Sequence, residues 1–115
     1  MKKHKETLQE ICSRFLELMD EEKLFLLADL KLADVTLRLA TNRTYLLAML
    51  QKELHMTFSE FVNRRRIAYA CQLRSEHPEL TTREVAYASG YSTFSSFYRN
   101  QHKYIKPVLH EITVR

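Results

Sequence analysis

Glycine is nearly missing. Gly90 is the only one in 115 residues, and Pro78 and Pro107 are the only prolines. β-Hairpins draw their turns from these residues, so a strand-rich fold is excluded. One glycine cannot build a glycine-rich phosphate loop. Ser92 has no Gly-x-Ser-x-Gly frame around it. Cysteine is scarce too: Cys12 and Cys71 stand alone, which suits small buried hydrophobes in a reducing cytosol rather than a disulfide framework. His4, His55, His77, His102 and His110 show no metal-ligand spacing with one another or with the cysteines. No metal, no cofactor and no enzyme activity are therefore expected. No apolar run approaches the roughly 20 residues of a membrane span. The N-terminal MKKHKETLQE has no apolar core after its lysines, so it is not a signal peptide, and a cytoplasmic location without membrane contact is expected.

What is present is helical. Apolar residues recur at helical rather than alternating spacing, and 45% hydrophobic content suffices for a core. The chain is long enough for one domain, or two very small ones. A net charge of +4 and a pI near 9.2 fit an anionic partner.

Residues 1–6 are charged and expected to fray. From Thr7 to Asp20, Leu8, Ile11, Cys12, Phe15, Leu18 and Met19 form one amphipathic stripe. Leu24 to Leu27 is an apolar connector. A second helix covers Leu32 to Leu39, with a turn at Ala40-Thr41. Thr41 or Asn42 can cap a third helix reaching about His55, with Tyr45, Leu46, Met49, Leu50 and Leu54 as its buried stripe. Thr57 to Ser75 is a long helix, opened by a Thr57/Glu60 capping box and stopped by His77-Pro78. Within it Arg64, Arg65 and Arg66 are about 100° apart and cannot share one face. At least one must bond locally, while others meet solvent or phosphate.

Residues 80–104 read as two short helices around a tight turn. Thr81 and Glu84 form a capping box, and Val85, Ala86 and Ala88 can face a partner helix. Gly90 supplies the turn, and Ser92 is placed to cap a helix from about Thr93 to Tyr104, with Phe97 and Tyr104 inward. This is the grammar of a helix-turn-helix, whose second helix enters the DNA major groove. Residues 34–50 weakly repeat residues 84–101, with Val35 matching Val85 and Ala40 matching Gly90. Pro107 then opens a short last helix to about Ile112.

The wording of the second unit resembles the AraC/XylS-type transcription regulators. The matching residues are Glu84-Val85-Ala86, Ser89-Gly90-Tyr91, Ser96-Phe97-Tyr98-Arg99, Lys103 and Pro107, and the Arg66-Ile67-x-x-Ala70-x-x-Leu73 spacing matches the family's central helix. The resemblance covers residues 8–112. It implies an all-α fold of about seven helices, a DNA-binding domain over 1–115. Its first helix-turn-helix unit spans about 8–56, a linker helix about 57–76, and a second unit about 80–112. Recognition helices at about 42–55 and 93–104 would enter successive major-groove segments of one duplex, reading an asymmetric site without dimerisation.

By the same resemblance, base edges would meet Arg43, Thr44, Thr93, Phe94, Ser95, Tyr98 and Arg99. Arg99 is the leading candidate, since arginine bonds guanine bidentately or clamps phosphate. Phe94 and Tyr98 can meet thymine methyl groups, or Phe94 can pack inward. The DNA backbone would be held by Asn42, Lys52, Arg64, Arg65, Ser92 and Lys103. Double-stranded DNA is the expected partner, with RNA polymerase and a separate sensory or dimerisation domain as further ones. The chain departs from the family pattern at several places. Leu47 and Ala48 replace polar groups, so the first unit reads weakly or by apolar contact. Ala40 and His55 replace glycines, Lys31 stands at a cap position, and Gln101 replaces a core Phe. A second reading is a protein-interaction module of the same fold with weak or lost DNA binding, docking through Leu47, Ala48, Phe94 and Tyr98.

Overall fold

The computed structural model describes residues 6–113; of residues 1–6, expected to fray, only Glu6 is among them, and its carboxylate pairs with Arg14 at 2.7 Å. The described residues form six α-helices and no strand: α1 (Leu8–Glu22), α2 (Leu32–Leu39), α3 (Arg43–Met49), α4 (Phe58–Glu76), α5 (Thr82–Ala88) and α6 (Phe94–Thr113). A 3-10 turn covers Leu24–Leu26, and a π-helical turn, Leu50–Leu54, prolongs α3. The fold is all-α, with six helices where the sequence suggests about seven. The difference lies at Pro107, which falls inside α6 instead of opening a separate helix. An interior proline costs about 3 kcal/mol through its missing N–H and its ring. Here Pro107 is exposed, while Tyr104 and Val108 on the same stripe are buried. Continuing the helix keeps Val108 in the core, and no glycine stands before Pro107 to break it.

The chain divides into two compact units, residues 1–24 with 30–58, and residues 25–29 with 59–115. In the first, α1 begins at a complete capping box: the Glu10 N–H donates to Thr7 Oγ1 at 3.1 Å and the Thr7 N–H to Glu10 Oε1 at 3.2 Å. Ile11, Phe15 and Met19 are its buried face, and α1 packs on α2 and α3. Arg14 donates to the Leu39 carbonyl at 2.7 Å, satisfying an orphan acceptor at the end of α2. Leu46, Met49 and Leu50 are buried as the spacing predicts, but Tyr45 is 41% exposed. It lies one position off the Leu46 stripe, and its phenol is tolerated at the surface.

Three helix ends in this unit adopt the left-handed conformation without glycine: Lys23 (φ 49°), Ala40 (φ 52°) and His55 (φ 55°). The geometry ends each helix as glycine would. The Lys23 N–H reaches the Met19 carbonyl at 3.0 Å, and the Thr41 N–H reaches Thr36 at 3.1 Å. A Cβ in this region costs roughly 1–2 kcal/mol. Ala40 and His55 are exposed, so little packing is lost on truncation. Ala40→Gly and His55→Gly are each expected to raise stability by about 1 kcal/mol, after the entropy cost of the new glycine. Thermal denaturation checks this, and a lowered melting temperature in both variants contradicts it.

In the second unit α5 packs on α6, and Ile67 and Ala70 of α4 share one core with Val85, Phe97 and Tyr104. Ala88, expected to face a partner helix, is exposed, and the buried small residue at the end of α5 is Ser89. Its hydroxyl donates to the Val85 carbonyl at 2.7 Å, so burial leaves it satisfied. Leu24 and Phe25 are buried, whereas Leu27 at the end of the expected apolar connector is 52% exposed.

Candidate nucleic-acid interface

The α5–turn–α6 segment is built from its caps outward. Thr81 Oγ1 accepts from the Glu84 N–H at 3.1 Å, and Glu84 Oε1 accepts from the Thr81 N–H at 2.9 Å. Those bonds hold the Glu84 carboxyl below its usual pKa. Gly90 follows with φ 98°, a conformation open to glycine. The cap of α6 is Thr93 rather than Ser92: its Oγ1 accepts from the Ser96 N–H at 3.1 Å. Two adjacent hydroxyl residues compete for that role, and because α6 begins at Phe94 it is Thr93 that stands immediately before the helix. Ser92 is left exposed beside the helix start.

From there the helix sorts its side chains. Phe97 and Tyr104 are buried, with Phe97 edge-on to Tyr91 at 5.7 Å between ring centroids. Ser95, Tyr98, Arg99, His102 and Lys103 are exposed. Arg99 makes no hydrogen bond or ion pair among the described residues. Tyr98 is 63% exposed. Phe94 sits between the two environments. It packs on the core yet keeps one side half-open, with the Arg83 guanidinium 4.7 Å from its ring centroid and Tyr98 at 6.3 Å. Arg83 was not singled out by its sequence position; the available signal is an arginine in the first turn of α5 facing an aromatic in the first turn of α6.

The three arginines of α4 separate as their spacing requires. Arg66 is the local one, 9% exposed. Its Nε donates to the Phe25 carbonyl at 2.6 Å and its Nη2 to the Leu27 carbonyl at 2.8 Å. Burial lowers its pKa, and the adjacent Tyr91 acts in the opposite sense. Tyr91 lies 5.3 Å from that guanidinium, donates to Asn63 Oδ1 at 2.7 Å, and has its phenol pKa pushed up by burial. Arg64 pairs with Glu111, and its Nε is buried with no acceptor among the described residues. Arg65 lies 4.9 Å over the Phe61 ring.

In the first unit Asn42 caps α3, its Oδ1 accepting from the Tyr45 N–H at 2.9 Å. Arg43, Thr44 and Lys52 are exposed, Leu47 is 38% exposed and Ala48 half-buried. The first unit carries nine basic and eight acidic side chains and the second nine and six, so the excess of positive charge falls on the second. Among the described residues no group of His, Cys, Asp and Glu is placed to hold a metal ion, and no helix is long and apolar enough to cross a membrane.

A protein-family profile described as a helix-turn-helix domain matches residues 35–107. No curated protein and no solved structure matches the chain. The profile covers more than half of the sequence and runs from within α2 into α6, across both helix-turn-helix segments. With the capped α5, the left-handed turn at Gly90 and the exposed start of α6 inside that span, the chain belongs to the AraC-type helix-turn-helix family of DNA-binding transcription regulators.

Proposed function

We propose that the chain binds duplex DNA with sequence preference and that its second unit leads the reading. In this reading residues 1–115 act as one DNA-binding domain, with units at about 8–56 and 80–112 and the helix at about 57–76 between them in sequence. The observation that carries it is the outer side of α6. Arg99 and Tyr98 stand exposed in its first two turns, and Arg99 has no protein partner among the described residues. Arg99 meets a guanine edge or a phosphate, Tyr98 and the open side of Phe94 meet thymine methyl groups or sugar, and Ser95 assists. Thr93 contributes its methyl and O–H, since its oxygen is already occupied as the helix cap. Ser92, Lys103, Asn42 and Lys52 hold backbone phosphates, together with Arg65 and with Arg64 once it exchanges Glu111 for phosphate. RNA polymerase and a separate sensory or dimerisation domain are the further partners.

The test is a fluorescence anisotropy titration of a random-sequence duplex pool over a salt series, followed by sequencing of the retained fraction. Affinity is expected to fall steeply with salt, with a log–log slope of about −0.9 per phosphate neutralised. Arg99→Ala is expected to weaken binding to the enriched motif about tenfold or more and to relax preference at one position. No binding at low salt defeats the proposal. Binding without any enriched motif defeats its sequence preference and leaves a phosphate binder.

A further inference from the structure

We propose that the first unit reads thymine through its C5-methyl group, using Thr44, Leu47 and Ala48 of α3 as a methyl-seeking face. The proposal rests on the DNA-binding reading above and gives it a chemistry for the half in which Leu47 and Ala48 stand in place of polar groups. Residues 44, 47 and 48 are spaced i, i+3 and i+4, so they lie on one side of the helix. Thr44 is exposed, Leu47 is 38% exposed and Ala48 is half-buried. Between Arg43 at the start of α3 and Gln51 in the π-helical turn, this stripe carries Thr44, Leu47 and Ala48, with the exposed Tyr45 phenol beside it. A helix so equipped has no amide or guanidinium in its middle turns to bond a base edge bidentately. The major groove offers one apolar group for such a surface, the thymine methyl, and alanine and threonine methyl groups are among its usual contacts.

The charge around the face selects nucleic acid as its occupant. Arg43 precedes it and Lys52 follows Ala48 by four residues. Both are exposed, and neither pairs with a carboxylate among the described residues. An apolar strip between two unneutralised cations matches a groove whose floor carries methyl groups and whose walls carry phosphates. The Asn42 oxygen is held by the Tyr45 N–H, which leaves its amide N–H groups for phosphate rather than for reading. The two units then read by different means: α6 by arginine and aromatic groups, α3 by methyl contact.

Deoxyuridine differs from thymidine only by the missing methyl, so it isolates this contact. The full 115-residue chain is titrated with the enriched duplex and with duplexes in which each thymine is replaced singly by deoxyuridine. About fourfold weaker binding is expected for each methyl that α3 buries. Leu47→Ala, at an exposed position, is expected to keep its thermal melt, to bind the thymine duplex several-fold more weakly, and to lose sensitivity to deoxyuridine at one or two positions. Those positions mark the α3 half-site. An enriched motif with no deoxyuridine effect, or one undiminished in Leu47→Ala, overturns this proposal and leaves the DNA-binding reading standing. A chain that binds no duplex overturns both, and self-association through Leu47 without methyl dependence overturns it in favour of a protein-docking face.

Discussion

Gly90→Ala is expected to destabilise the second unit by about 3–5 kcal/mol, summing overpacking and backbone strain. An added Cβ would lie 2.5 Å from the Phe25 carbonyl oxygen, 2.9 Å from Arg66 Nε and 3.1 Å from Leu26 Cα. Two of those neighbours are backbone and the third is pinned by its own hydrogen bond, so none can yield cheaply. The φ of 98° adds strain that any L side chain would feel. For a unit of this size such a loss is comparable with its whole stability. Circular dichroism on heating should show loss of helix at a much lower temperature, or a chain partly unfolded at 25 °C. A shift of only a degree or two would mean that the segment 25–29 moves aside freely, and the crowding argument would fail.

Arg66→Met is the second large effect, at about 3 kcal/mol. It keeps the volume of the side chain and deletes both charge-assisted bonds, each worth roughly 1.5–3 kcal/mol, leaving the Phe25 and Leu27 carbonyls to find water or go unpaired. Arg66→Lys should fall between wild type and Arg66→Met, because an ammonium cannot present two diverging donors in one plane. Hydrogen exchange gives the specific signature. In Arg66→Met the amides of residues 25–29 should exchange faster than those of α6, whereas uniform acceleration through the unit would point to general loosening instead. Full protection of residues 25–29 would show that the two bonds do little.

The caps and the apolar spacing were legible because they are local. Thr81 with Glu84 and the demand for positive φ at Gly90 both involve residues within a few positions of one another. The spacing of Arg64, Arg65 and Arg66 even required that one bond locally. What it could not supply was the acceptor, since the Phe25 carbonyl lies 41 residues earlier in the chain. The end of α6 was misread for a similar reason. A proline suits the first turn of a new helix, and only the burial of Val108 beyond it keeps α6 whole. The shift of the α6 cap from Ser92 to Thr93 turns on one residue of register, which hydroxyl propensity does not resolve. Of the candidate DNA-contacting residues, the sequence identified the outer face of α6 as a surface but not the anchoring of Phe94 by Arg83. That contact depends on how α5 and α6 cross, a tertiary matter.

The Arg66 anchor also has a consequence in time. Residues 25–29 belong to the second unit although residues 30–58 return to the first, so the chain visits the second unit briefly before entering it for good. On a ribosome adding roughly 5–20 residues per second, residues 25–29 emerge about 2–8 s before Arg66, and longer still before Gly90. The first unit can close while this segment waits without its cation. A nascent chain therefore holds Phe25 exposed through the interval, and the second unit cannot be obtained whole by cutting the chain once at residue 58.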